Sequence, residues 1–195
     1  MAKKTTTQTS EEENLENVQE STGGENVRQE VEQTADNSIR CEATAENDGV
    51  ALIDGDGQTL LIVALNESKL AFGGDESQDL EEDVASPSMS GLDGQQRSAF
   101  LIDFYGREEK EVPALAACAE FGWLPSGGEM ALIFANKTAI NEQLEALGGT
   151  VIGDGRYWTS QRFSNDRMRS CNMSNGTFGI ALGTKSVAGV RAVKK

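Results

Sequence analysis

The chain has 195 residues, a formal net charge of −15 and 37% hydrophobic residues, enough for one domain of ordinary size and a tail. It contains no histidine, and Cys41, Cys118 and Cys171 are far apart with no C-x-x-C spacing, which argues against a structural zinc site and against a disulfide framework. The acidic balance repels phosphate backbones, so nucleic acid is not an expected partner, and no apolar run approaches the length of a membrane span.

Residues 1–48 hold no Phe, Trp or Tyr and carry 12 acidic against 4 basic side chains. Such a stretch cannot bury enough apolar surface to offset the cost of ordering, so it reads as a tail. Leu15 with Val18 and Val27 with Val31 give two weak amphipathic signals, too short for stable isolated helices. The tail is then either a segment that orders on a partner or sister subunit, or a solubilising extension. Met1-Ala2-Lys3-Lys4 is followed by polar residues, so no signal peptide is expected and the chain is expected to mature in a cytoplasm.

From Gly49 the pattern changes. Val50–Ile53 and Thr59–Leu65 read as two strands joined by Asp54-Gly55-Asp56-Gly57. A calcium loop would need oxygen ligands where Ile62 and Leu65 stand, so turn chemistry suffices and neither a metal nor a cofactor is expected. Phe72-Gly73-Gly74 leads into an acidic Ser/Pro stretch up to Gly94, a long surface loop. Gln95–Ile102 is the next ordered segment. A helix is expected over Arg107–Phe121, with Val112, Leu115, Ala116 and Ala119 as its stripe and Pro113 in its first turn.

Pro125 makes Trp123-Leu124 extended. Ser126 and Glu129 have capping-box spacing for a helix through Met130–Ala135, and a second helix, Thr138–Leu147, stops at Gly148-Gly149. Tyr157–Ser160, Arg167–Met173, Phe178–Leu182 and Gly189–Val193 read as strands, with Asn175-Gly176 as a two-residue hairpin turn. Each cysteine is expected to be a small buried hydrophobe.

Charge is uneven. Residues 49–150 carry 18 acidic and 5 basic side chains, whereas residues 151–195 carry 2 acidic and 8 basic. Arg156, Arg162, Arg167 and Arg169 form a basic cluster that either meets an acidic partner or is solvated and paired internally. Arg167 and Arg169 are two apart in a strand-like run and point to one face, and Arg162 is expected to join them there.

Four blocks in this order, Gly122-Trp123-Leu124-Pro125-Ser126-Gly127-Gly128-Glu129, Tyr157-Trp158-Thr159-Ser160, Asn172-Met173-Ser174-Asn175-Gly176 and Gly189-Val190-Arg191-Ala192-Val193, resemble the bacterial and phage branch of the C-type lectin fold. That branch includes formylglycine-generating enzymes and the variable proteins of diversity-generating retroelements, and the resemblance runs from about Gly49 to Val193. It implies an α+β fold with two short helices packed on mixed and antiparallel sheets. The tail would be 1–48 and the lectin-like domain 49–195, with a hairpin and loop at 49–94 and the core at 95–195. Trp123 and Trp158 would be structural anchors.

The same resemblance implies a contact surface of Arg162, Asn165, Asp166, Arg167, Arg169, Asn172 and Thr184; the alternative is ordinary strand-face residues or contacts to a sister subunit. The segment Ser164–Cys171 lacks the aromatics common in the family. The enzymes of the branch use a close pair of cysteines where this chain has Cys171 alone, and no spaced carboxylate pair replaces the missing histidine, so no catalytic residue is expected. The implied role is a non-enzymatic virion surface protein of a Bacteroidales phage, a head or tail fibre or decoration. It would bind a host-surface glycan or protein, attach to phage structural proteins through its tail and form a homo-oligomer, a trimer. The alternatives are a bacterial adhesion or scaffold module of the same fold and a degenerate enzyme.

Overall fold

Apolar residues alternate through Val50, Leu52, Leu61 and Val63, so the first hairpin must present one dry face to the interior. A computed structural model describes residues 38–73, 93–107, 109–164 and 167–195, all within the unit Ala35–Lys195. Leu15, Val18, Val27 and Val31 lie outside the described residues, as does most of the expected loop between Gly73 and Gly94.

The first sheet has the order β1-β2-β3-β9, from β1 (Arg40–Ala43), β2 (Gly49–Ile53), β3 (Thr59–Ala64) and β9 (Val193–Lys194), every pair antiparallel. The second has the order β4-β8-β5-β6-β7, from β4 (Ser68–Ala71), β8 (Val187–Val190), β5 (Arg156–Ser164), β6 (Arg167–Asn172) and β7 (Thr177–Leu182). Its strands are antiparallel except where β5 meets β8 through Tyr157 and Gly189. With α1 (Gly94–Arg107), α2 (Pro113–Ala116), α3 (Gly127–Ala135) and α4 (Lys137–Ala146), the described residues form an α+β fold of four helices and two sheets, where the residue pattern gave three helices and the resemblance implied two.

The first sheet starts upstream of the expected boundary at Gly49. β1 pairs with β2 from Arg40↔Ile53 to Ala43↔Val50, and Ile39 and Cys41 pack against the core. Arg40, Glu42 and Ala43 are exposed, so this edge strand has too few inward side chains to stand out in an acidic stretch. Between β2 and β3 the Asp54 carboxylate accepts from the amides of Asp56 (3.0 Å) and Gln58 (2.8 Å), and Gly57 adopts φ +80°.

The helix expected over Arg107–Phe121 is broken. α1 continues to Arg107, and α2 is a single turn with Pro113 in its first turn. After α2 the amides of Cys118, Ala119 and Phe121 donate to carbonyls three residues back, so the chain tightens into 3₁₀-type turns that keep Leu115 and Cys118 inside.

α3 begins as its sequence dictates: Ser126 accepts from the Glu129 amide, and the Glu129 carboxylate accepts from the Ser126 amide (2.7 Å) and from Trp123 Nε1 (3.2 Å). At the end of α4, Gly148 at φ +69° donates to Glu145 O while Gly149 donates to Leu144 O (2.8 Å), a Schellman closure.

Two strand expectations change. Gly189–Val193 is not one strand, because β8 belongs to the second sheet and β9 to the first, with Arg191-Ala192 crossing between them. The β6–β7 hairpin closes at Asn172↔Thr177 around a four-residue loop, since Asn172 O accepts from the amides of both Asn175 and Gly176. The core forms two clusters. One packs β2 and β3 under α3 and α4 through Leu52, Val63, Ile133 and Leu144; the other gathers Phe72, Tyr105, Leu115, Leu124 and Met168 around Trp158.

Candidate functional site

The region singled out by the sequence lies on β5, β6 and β7, and its shape depends on a bulge. β5 pairs Trp158 with Ser170 and next Arg162 with Met168, so Thr159–Gln161 exceed the length of the opposing strand. Within the bulge Ser160 N donates to Pro125 O (2.8 Å) and Thr159 Oγ1 to Arg169 O (3.1 Å).

The pairing of β5 with β6 decides which side chains reach solvent. Arg162 sits opposite Met168, a core residue, and is only 8% exposed. The expectation that Arg162 shares one exposed face with Arg167 and Arg169 is therefore corrected. Trp158 and Arg162 pair with the buried residues Ser170 and Met168, so Arg162 falls on the inward side of β5, whereas Arg167 and Arg169 alternate to the other side of β6. Phe163 instead is 50% exposed, and the Arg169 guanidinium carbon lies 5.1 Å from its ring centroid. Across β6 and β7, Arg169 pairs with Ile180, which is 41% exposed, and Arg167 is exposed at the start of β6. The face is thus Phe163, Arg167, Arg169 and Ile180.

The other expected contact residues are not gathered there. Asn165 and Asp166 lie outside the described residues. Asn172 alternates to the opposite side of β6 from Arg167 and Arg169, and its side-chain oxygen accepts from Ser174 N (3.0 Å) and Ser174 Oγ (2.8 Å), shaping the loop. Thr184 is half-buried in the turn after β7. Sequence reasoning missed Phe163 and Ile180; a lone phenylalanine in the polar run Gln161–Asp166 was the one signal for the first.

A buried network gathers around Tyr157, near the start of β5. Arg191 is 1% exposed; its Nη1 donates to Ala64 O (2.9 Å) and Leu65 O (2.8 Å), and its Nη2 to Glu67 (2.8 Å) and Thr150 O (2.6 Å). The same Glu67 oxygen accepts from Tyr157 OH (2.7 Å), which in turn accepts from Gly153 N (3.0 Å). Burial first, then the Glu67 carboxylate, push the Tyr157 hydroxyl up to about 12, so it stays protonated and donating. This arginine, read as part of a closing strand, joins both sheets to two connections. Trp158 anchors the same frame, fully buried, with Nε1 donating to Leu70 O (2.9 Å) and Phe72 edge-on at 5.9 Å. Trp123, half-buried, braces the start of α3 through Glu129.

Cys118 and Cys171 are buried as expected, and Cys41 is half-buried. Burial pushes the Cys118 thiol up to about 12 and that of Cys171 to about 11, the latter against the opposing pull of Arg156. Neither is a thiolate near neutral pH. No group of Cys, Asp or Glu that could hold a metal ion occurs among the described residues.

The chain matches no known family and no curated protein. Among solved structures it is similar to a fimbrial protein from Bacteroides ovatus ATCC 8483, with a TM-score of 0.58 and 13% identity over 68% of this chain. At that identity the likeness concerns the fold. The match covers 35% of the fimbrial protein, so this chain spans a minor part of its length.

Proposed function

We propose that this chain is a non-enzymatic adhesion module of C-type-lectin type, displayed on the surface of a larger assembly. It contacts a host-surface glycan or protein through Phe163, Arg167, Arg169 and Ile180. The observation that carries this reading is the guanidinium of half-buried Arg169 lying over a half-exposed phenylalanine beside the exposed Arg167. Aromatic and arginine side chains are the groups that concentrate binding energy at interfaces, and a planar guanidinium fork matches carboxylate and sulfate oxygens. An anionic glycan suits that pairing.

The lectin-type assignment is supported by the positions of three of the four sequence blocks: the Trp123–Glu129 block caps α3, the Tyr157–Ser160 block supplies the central strand, and the last block crosses between the sheets. The assembly is a phage virion in which the acidic N-terminal tail attaches to structural proteins and the chain forms a homotrimer. A second reading, a bacterial surface adhesion module, is favoured by the likeness in fold to a protein named fimbrial. Neither reading uses a cofactor.

Binding of the full chain to an array of sulfated, sialylated and neutral glycans, at low and physiological ionic strength, tests the recognition step. Retention on acidic glycans that weakens with salt is expected. Binding confined to neutral glycans, or none to glycans or intact host cells, overturns it. Immunogold labelling of virions against bacterial envelopes separates the two assemblies.

A further inference from the structure

A cleft of about 390 Å³ opens between the turn after β3 and the tight turns after α2, away from the face described above. Buried Ala64 and Val190 line its base, Phe121 stands on one wall, and the carboxylates of Asp48, Glu67 and Glu120 surround it. Glu67 is held by Arg191 and Asp48 by Lys194. Glu120 is exposed and has no hydrogen-bond or ion-pair partner among the described residues.

The protein's own Lys194 displays the chemistry this wall accepts: its Nζ lies 4.5 Å from the centroid of the Phe121 ring and donates to the Asp48 carboxylate. An ammonium brings three donors and no acceptor, which suits the uncommitted Glu120 carboxylate beside the Phe121 ring, and an alkyl stem suits an apolar base. We propose that this cleft binds a lysine side chain of a protein partner, its methylenes over Ala64 and Val190 and its ammonium donating to Glu120. The site is opposite in charge preference to the arginine face, and it stands or falls independently of it.

The test is titration of the ¹⁵N-labelled full chain with Nα-acetyl-lysine methylamide at low ionic strength, followed by NMR, with the norleucine analogue in parallel. Saturable shifts are expected at the amides of Asn66, Ser68, Glu120 and Phe121, with none from norleucine. Glu120→Gln is expected to weaken binding roughly twofold to fivefold, the range of an exposed ion pair, and Lys194→Met, which vacates Asp48 and the Phe121 ring, to strengthen it by a similar factor. No shifts at these amides, equal shifts from norleucine, or an affinity unchanged in both variants overturns the proposal.

Discussion

Arg191 and Arg169 are the same residue type put to opposite uses. Arg191 is sealed within the seam of the two sheets, its terminal nitrogens committed to fixed carbonyls and to Glu67. Arg169 lies over Phe163 on a face open to solvent. A buried guanidinium is tolerable only when its partners are preorganised, whereas an exposed one is screened, contributes little to stability and stays available to a ligand. The contrast separates a rigid frame from a face that can change without unfolding it.

The largest effects are expected in the frame. Trp158→Ala should cost about 3–5 kcal/mol in chemical denaturation, the usual range for removing a fully buried aromatic. Glu67→Gln should cost about 3–5 kcal/mol, because it leaves the Arg191 charge buried without its counter-charge. A loss of less than 1 kcal/mol for Glu67→Gln would mean that the carbonyls alone hold Arg191. Gly189→Ala should cost about 1–3 kcal/mol, since an added Cβ would lie 2.6 Å from the Tyr157 ring.

A smaller contrast is expected among the thiols. In the native chain a disulfide reagent should modify Cys41 first, with Cys118 and Cys171 reacting only on unfolding, because burial pushes the latter two up to about 12 and about 11. Equal rates for all three would contradict the described burial.

The smallest effect concerns Asp48, whose carboxyl is held below its usual value by hydrogen bonds from Lys194 and Thr44. A carboxylate with a depressed native value stabilises the fold above its unfolded value, near 3.9, and that contribution fades as pH falls through the depressed one. Asp48→Asn should therefore lower stability slightly at neutral pH and leave it unchanged at the acid end of a thermal-melt series.

What the sequence revealed divides along the same line. Local chemistry was legible: the Ser126–Glu129 capping box, the Gly148 stop, the Asp54 turn and the burial of Trp158 each depend on neighbours a few residues away or on one large apolar side chain. Features set by distant partners were not. Arg191 is 124 residues from Glu67 and 41 from Thr150, and nothing near it in sequence marks it as a hub. The pairing of β5 with β6 is equally distant in sequence, so Arg162 was grouped with Arg167 and Arg169 by its charge although it pairs with buried Met168, and Phe163 was passed over. β1, with its outward charges, resembled the acidic stretch before it.

The separation of frame from face is tested most directly by one variant, Phe163→Ala with Arg167→Ser and Arg169→Ser, measured for both thermal stability and retention on acidic glycans. The account predicts lost retention with stability changed by no more than about 1 kcal/mol, as for surface substitutions. Retention equal to that of the native chain, or unfolding comparable to that of Trp158→Ala, would contradict it.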